Sequence, residues 1–254
     1  MAQTFAIRCF ESVNNPNLPK LGEVRFQLND VWQAGNPAKA FEIRMSTAST
    51  IRTSAVDMWL GSGGATNIGR TGTINSGSLN YFWFKPPVSG YAFIDNYQSI
   101  QRIDNSDSGV FKIRLEQLSE CSGLNYLNGG ASAAGQDACT GNIANIPNAD
   151  NFLNLGLYGP KLVGELSHFS NATLLQNIRL WSTGITGRMS DLAKSIELTR
   201  LSTTSPGIEN DWETACDGMV TNGRTSGTCR FESHDFDLYV DFNPEYSGGW
   251  QVRS

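Results

Sequence analysis

Charge and histidine are scarce in this chain of 254 residues. Asp, Glu, Lys and Arg together make up 17% of the sequence, there are 2 histidines, and the formal net charge is −5 at pH 7. An acidic chain without any run of Lys and Arg lacks the positive surface that attracts nucleic acid, which argues against nucleic acid as a partner. No apolar run approaches the roughly 20 residues of a membrane-spanning helix, so we expect no membrane partner either.

Cysteine is also sparse, and the 5 cysteines form no C-x-x-C pair of the kind that binds metals. Two pairings are open, Cys121 with Cys139 and Cys216 with Cys229, but we favour small buried thiols in a reducing compartment. The first residues, MAQTFAIRCF, show neither a basic leader nor an apolar core of signal-peptide length. We therefore expect the chain to stay in the cytoplasm, or to leave the cell only with a particle.

What the sequence does contain is a repeat of 23 residues between positions 141 and 208, with Gly141, Gly164 and Gly187 at the same point of each copy. Five columns of apolar residues line up when the copies are stacked. They are Ile143, Leu166 and Met189; Ile146, Phe169 and Leu192; Phe152, Leu175 and Leu198; Leu155, Ile178 and Leu201; and Leu162, Ile185 and Ile208. An earlier copy, with a Gly/Ala/Ser-rich loop at 129–137, carries Leu115, Leu118, Leu124 and Leu127.

The spacing within each copy, L-x-x-L-x-L, is that of the leucine-rich repeat, in which every coil supplies one short strand and stacks on its neighbours. We predict a mainly β fold that contains a short leucine-rich-repeat solenoid of about four coils. The predicted repeat core is Phe152, Leu155, Leu175, Ile178, Leu198 and Leu201. The turn position that usually holds a buried Asn or Cys is instead Pro160, Thr183 and Pro206, so other groups must hold that turn.

Two stretches resemble a particular group of leucine-rich-repeat proteins. The run STGITG at residues 182–187 resembles the repeat variant of gut Bacteroidetes proteins and their phages, including the crAss-like group. The run WETACDGMVTNGRTSG at 212–227 resembles the segment that those proteins place after the last coil. The resemblance covers roughly residues 107–232. It implies a virion-associated or surface-associated structural or binding protein, and it implies no catalytic residues.

The chain divides into four segments. Residues 1–35 form an N-terminal strand arm, which is either a docking segment for another chain or a hairpin of the next domain. Residues 36–105 form a β-rich domain whose strand order suits an immunoglobulin-like sandwich. Residues 106–208 carry the leucine-rich repeats. Strands of the β-rich domain are expected at 40–45, 55–60, 79–84 and 90–94.

Residues 209–254 are predicted to cap the solenoid, because the last coil would otherwise leave its apolar side in water. Asn210 or Asp211 suits the N-cap of a helix, and Asn222 followed by glycine suits its end. Strands are expected at 229–232 and 236–242. The apolar face of the helix is predicted to consist of Trp212, Ala215 or Cys216, and Met219.

No residue pattern indicates catalysis or metal binding, so we predict a non-enzymatic protein without cofactors. His168 falls on the outer segment of a coil, where a solvent-facing histidine is expected, and neither it nor His234 has triad partners. Asp235, Asp237 and Asp241 alternate along a predicted strand. We favour a solvated acidic face there over a calcium site.

A binding surface is predicted on the strand face, where the residues between the inward leucines point away from the core. The predicted binding residues are Tyr158, Asn177, Arg179, Trp181 and Arg200. Aromatic residues and arginines are enriched at the centres of interfaces, and aromatic rings also stack on sugars. The alternative is that these rings only cover the sheet, or pack under the 129–137 loop or the β-rich domain.

These features predict a structural protein of a phage particle, such as a capsid decoration, a head fibre or a tail component. Its expected partners are other virion proteins, a second copy of the chain, or a host surface protein or glycan. The alternative is a bacterial surface adhesin or recognition module.

Overall fold

The computed structural model describes residues 23–28, 39–54, 56–60, 66–84, 90–105, 111–129 and 139–253. The fold of these residues is mainly β, as predicted, with a single α-helix among them, α1 (Trp212–Thr221). Their strands are β1 (Val24–Leu28), β2 (Lys39–Met45), β3 (Ser49–Thr53), β4 (Met58–Leu60), β5 (Thr66–Gly69), β6 (Thr71–Ile74), β7 (Leu79–Phe84), β8 (Tyr91–Ile94), β9 (Ile100–Asp104), β10 (Phe111–Arg114), β11 (Tyr126–Asn128), β12 (Cys139–Asn142), β13 (Asn154–Tyr158), β14 (Leu162–Glu165), β15 (Asn177–Trp181), β16 (Gly184–Arg188), β17 (Arg200–Thr203), β18 (Ile208–Glu209), β19 (Thr228–Glu232), β20 (Asp237–Phe242) and β21 (Trp250–Val252).

Each 23-residue copy contributes one strand to each of two sheets. The twelve-stranded sheet has the order β21-β20-β19-β17-β15-β13-β11-β9-β2-β7-β4-β5, and the nine-stranded sheet has the order β18-β16-β14-β12-β10-β1-β8-β3-β6. Strands from successive copies are parallel, and Leu155 is in register with Ile178, which is in register with Leu201. All six residues of the predicted repeat core are at most 2% exposed, so the apolar columns lie between the sheets.

A glycine is required at the corner that recurs in every copy. Gly141, Gly164 and Gly187 have φ values of 113°, 126° and 131°, a region that other L-residues rarely adopt. At Gly164 a Cβ atom would also lie 2.7 Å from Cγ1 of Ile143 in the preceding copy. The repeated glycine therefore records a close approach between neighbouring copies.

The turn at Thr183, which lacks the usual Asn or Cys, is held by a serine that the sequence pattern did not indicate. The hydroxyls of Thr183 and Ser205 lie 2.6 Å apart, and both residues are buried. The backbone N–H of Thr183 donates to Ser205 Oγ at 3.1 Å, and that hydroxyl donates to the Leu180 carbonyl at 3.1 Å. Ser205 thus satisfies the turn of the copy before it.

The N-terminal strands continue both sheets of the repeats. β1 pairs antiparallel with β8 and with β10, and β2 pairs antiparallel with β9, which itself runs parallel to β11. Residues 24–28 are therefore internal to the nine-stranded sheet, which corrects the docking interpretation for that part of the arm. Residues 1–22 and 29–35 of the arm lie outside the described residues.

The predicted strands at 40–45, 79–84 and 90–94 correspond to β2, β7 and β8. Among the described residues 56–60 of the segment 55–60, only β4 is a strand, and β3, β5, β6 and β9 were not predicted. The predicted boundary near residue 105 falls directly after β9, which belongs to the same sheet as the repeats. One continuous cluster of buried residues extends from Val24 to Phe242 across this boundary.

The C-terminal residues cover the last copy. α1 begins after Asp211, whose carboxylate accepts a hydrogen bond from the backbone N–H of Ser190 in the last copy rather than from its own helix. β19 adds a further parallel strand beside β17, with Phe231 in register with Leu201. Trp212 packs on Phe231, with ring centroids 6.3 Å apart.

The four described cysteines are buried and unpaired: Cys121, Cys139, Cys216 and Cys229. Burial is the main reason that the pKa of the Cys139 thiol is raised to about 12, and the nearby Glu116 carboxylate adds to it. Such thiols are poor nucleophiles at neutral pH. Cys9 lies outside the described residues.

Candidate functional site

The predicted binding residues lie together on the outer face of the twelve-stranded sheet. We call Tyr158, Asn177, Arg179, Trp181 and Arg200 the aromatic–arginine strip. Strand register places Tyr158 beside Trp181, and Asn177 beside Arg200. The rings of Tyr158 and Trp181 meet edge to face with centroids 5.0 Å apart, a favourable aromatic geometry. The indole N–H of Trp181 donates to Ser202 Oγ at 2.7 Å, which fixes the ring on the sheet.

The strip borders a small open depression of about 40 Å³, which we call the glycine depression. Gly156 is one of its lining residues, and the Asn128 side chain of the neighbouring strand lies over it. Its lining residues are Tyr126, Leu127, Asn128, Asn154, Leu155, Gly156, Asn177 and Arg179. The rim is therefore built from amides, one aromatic ring and one guanidinium group.

The arginines around the depression differ in their partners. Arg102 pairs with Asp104 at 2.8 Å, and Arg200 pairs with Glu232 at 2.6 Å. Arg230, on the neighbouring strand β19, pairs with Asp237 at 2.7 Å. Within the part of the chain that the structure describes, Arg179 forms no ion pair. The strip therefore carries one positive charge that no described carboxylate neutralises.

Two polar atoms at the depression are buried without a hydrogen-bond partner among the described residues: Oδ1 of Asn128 and Nε of Arg179. The Asn128 amide lies over Gly156, where a Cβ atom would come within 2.6 Å of Oδ1. Burying a polar atom without a hydrogen-bond partner costs free energy. A ligand group that bonds to this atom would remove part of that cost, so the atom indicates where a ligand could bind.

Burial changes the ionisation of the two tyrosines beside the depression. Burial raises the pKa of Tyr158, while the neighbouring Arg179 guanidinium acts in the opposite direction. Burial and the Asp104 carboxylate raise the pKa of Tyr126, against the effect of Arg102, which stacks 3.7 Å from its ring centroid. Both hydroxyls therefore remain protonated at neutral pH. The Tyr126 hydroxyl donates to Asp104 at 3.1 Å, and the Tyr158 hydroxyl accepts a hydrogen bond from Arg179.

The other polar residues singled out in the sequence lie elsewhere. His168 is half-buried rather than solvent-facing, since its Nε2 lies 3.1 Å from the Ile146 carbonyl of the preceding copy. Asp237 and Asp241 are paired with Arg230 and Arg253.

Among the described residues there is no group of His, Cys, Asp and Glu arranged to hold a metal ion. In that same part of the chain, no helix is both long and apolar enough to cross a bilayer.

Sequence reasoning missed Tyr126 and Asn128, while strand alternation placed Asn154 and Gly156 on the outward face without giving either a role. Gly156 did carry a usable signal, because a glycine inside a strand weakens the strand and often marks a close approach by another group. Tyr126 and Asn128 flank Leu127 of the earlier copy, which pairs with Leu155, so the same alternation would have placed them on the outward face. The 129–137 loop, considered as a cover for the strip, lies outside the described residues after Gly129.

Comparison with known proteins adds no identification, since no family model, curated protein or solved structure matches this chain.

Proposed function

We propose that the chain is a non-enzymatic binding and structural protein of a phage particle that presents a leucine-rich-repeat surface. Three features support the solenoid: the parallel register of successive copies, the recurring corner glycine, and the cap formed by α1 and β19. The antiparallel strands before β10 form, in this proposal, an immunoglobulin-like unit merged with the first coil. The resemblance of residues 182–187 and 212–227 to phage and Bacteroidetes proteins supports the particle.

The observation that carries the binding role is the aromatic–arginine strip. Tyr158, Trp181 and Arg179 are only half-buried, although large aromatic side chains gain most from full burial. They lie on strands whose other faces fill the core, so their positions are rigid. A rigid cluster of aromatic residues and arginine is the composition found at the energetic centre of protein interfaces.

The particle assignment is tested by quantitative mass spectrometry of purified phage particles. We expect the chain as a stoichiometric component. Its absence from particles, together with recovery in the cell-surface fraction of bacteria, would support the alternative of a surface adhesin.

The binding role is tested with the double variant Trp181→Ala and Arg179→Ala. We expect normal secondary structure, but loss of incorporation into particles or of attachment to cells. The matched control is Val163→Ala with Arg188→Ala, because these exposed residues lie on β14 and β16 of the other sheet. If the strip variant incorporates and attaches like the parent, the strip is not the binding site.

A further inference from the structure

We propose that the glycine depression binds an acidic sugar, with Arg179 receiving its carboxylate. This inference rests on the proposed binding function and specifies its ligand. The site consists of a charge, a set of amides and an aromatic ring grouped around a residue without a side chain.

The positive charge of Arg179 indicates that the ligand carries an anionic group. Arg102, Arg200 and Arg230 each have a carboxylate supplied by the chain itself, whereas Arg179 has none among the described residues. The Nε atoms of Arg102, Arg179 and Arg200 are all buried without a hydrogen-bond partner in the described part of the chain, so the missing carboxylate alone distinguishes Arg179. A planar guanidinium matches a carboxylate with two parallel hydrogen bonds, which a point charge such as lysine does not provide.

The asparagine side-chain amides around the depression indicate that the ligand also carries hydroxyl groups. Asn128, Asn154 and Asn177 lie on three adjacent strands, β11, β13 and β15, around the depression. Each amide offers two donors and a carbonyl acceptor, and a sugar hydroxyl uses both kinds of partner. Oδ1 of Asn128 has no donor at present, and a ligand hydroxyl would supply one.

The walls of the depression indicate a ligand with an apolar ring face. The depression itself is small and open, with a volume of about 40 Å³, so a bound sugar ring lies across it with one substituent inside. Tyr126 forms one wall, and its ring is held in place because Arg102 stacks on it and its hydroxyl donates to Asp104 at 3.1 Å. A fixed aromatic wall suits the C–H face of a pyranose ring. The carboxylate of the sugar then lies on the side of Arg179.

The chain also provides a variant that alters the depression at little structural cost. The three nearest atoms to a Cβ at Gly156 would all belong to Asn128, with Oδ1 at 2.6 Å, Cγ at 3.1 Å and Cα at 3.8 Å. The Asn128 amide can rotate away, so Gly156→Ala should fold while displacing the amide that meets the ligand hydroxyl. Arg179→Gln removes the charge and keeps much of the side-chain length.

The experiment is an array of immobilised uronic-acid and sialic-acid oligosaccharides, each printed beside its neutral counterpart, probed with the full chain. We expect selective binding of acidic members that weakens with added salt, because the ion pair is partly exposed. For the best acidic member, titration calorimetry should show a loss of about ten- to hundred-fold in affinity for Arg179→Gln, the range expected for a charged hydrogen bond. Gly156→Ala should lose a similar amount, and Arg188→Gln on the other sheet should bind like the parent.

Three results would overturn the proposal. One is equal binding of acidic and neutral members, and another is unchanged affinity for Arg179→Gln and Gly156→Ala. The third is no acidic member bound by the parent while an acetylated tetrapeptide with a free C-terminus binds and is lost in Arg179→Gln. That last result would mean that Arg179 binds the C-terminal carboxylate of a peptide and not a sugar, and it would not contradict the proposed binding function. Failure of the binding function itself would be seen separately, as normal particle incorporation by the strip variant.

Discussion

The stacked core makes a quantitative prediction for Ile178→Asp. Ile178 is 1% exposed and lies between Leu155 and Leu201 in neighbouring strands, which are about 4.8 Å apart. The substitution removes roughly 1.5–3 kcal/mol of side-chain burial. It also places a carboxylate where the described neighbours are apolar, at a cost of at least several kcal/mol. The sum of these two costs is comparable with the free energy of unfolding of a typical domain, about 5–15 kcal/mol. We therefore expect the variant to be largely unfolded at pH 7.

The assay is urea unfolding followed by circular dichroism, with Asn177→Asp as the matched control. Asn177 precedes Ile178 on the same strand but faces outward, near Arg179 and Arg200, so the same charge there should change stability by less than about 0.5 kcal/mol. Burial raises the pKa of an inward Asp, so the deficit of Ile178→Asp should shrink as the pH falls from 7 to 4. If Ile178→Asp unfolds at the same urea concentration as the parent, the stacked-core description is wrong.

Three further predictions concern the cap, the thiols and the acidic residues. Ending the chain at Ile208 removes β19 and α1 and should give aggregation in light scattering, whereas a soluble, monomeric product would mean that residues 209–254 are an independent appendage. The four buried thiols should react with a thiol reagent at pH 8 at least about tenfold faster in denaturant than in buffer, and equal rates would contradict their burial. Burial opposes ionisation of Glu232, but hydrogen bonds from Arg200 and Ser202 keep its pKa below the ordinary value. Its contribution is therefore present above the unfolded pKa of about 4.3 and lost as the pH falls through the lower folded value. Glu232→Gln should therefore lose less stability between pH 6 and pH 3 than the parent, and equal losses would contradict this role of Glu232.

The outward face could be predicted in part because side chains alternate strictly along a strand. Once Leu155 and Leu157 were recognised as inward, Tyr158 had to point outward, and the 23-residue spacing placed Trp181 beside it. The partners of the arginines could not be predicted in the same way. Glu232 reaches Arg200 from β19, a strand that no repeat pattern connects to β17.

The sequence by itself determined the mainly β class, the 23-residue period, the inward columns and the corner glycines, because each of these follows from local spacing and backbone geometry. Only the tertiary structure decided how the strands before residue 105 join the repeats. Ile43 lies opposite Ile103, and Gln27 lies opposite Lys112, so both sheets close through pairs that are 60 or more residues apart. Apolar alternation shows that a strand has an inner face but carries no information about which neighbour it will pair with. The glycine depression has the same origin, since Asn128 and Arg179 come to either side of Gly156 only through the pairing of β11 and β15 with β13.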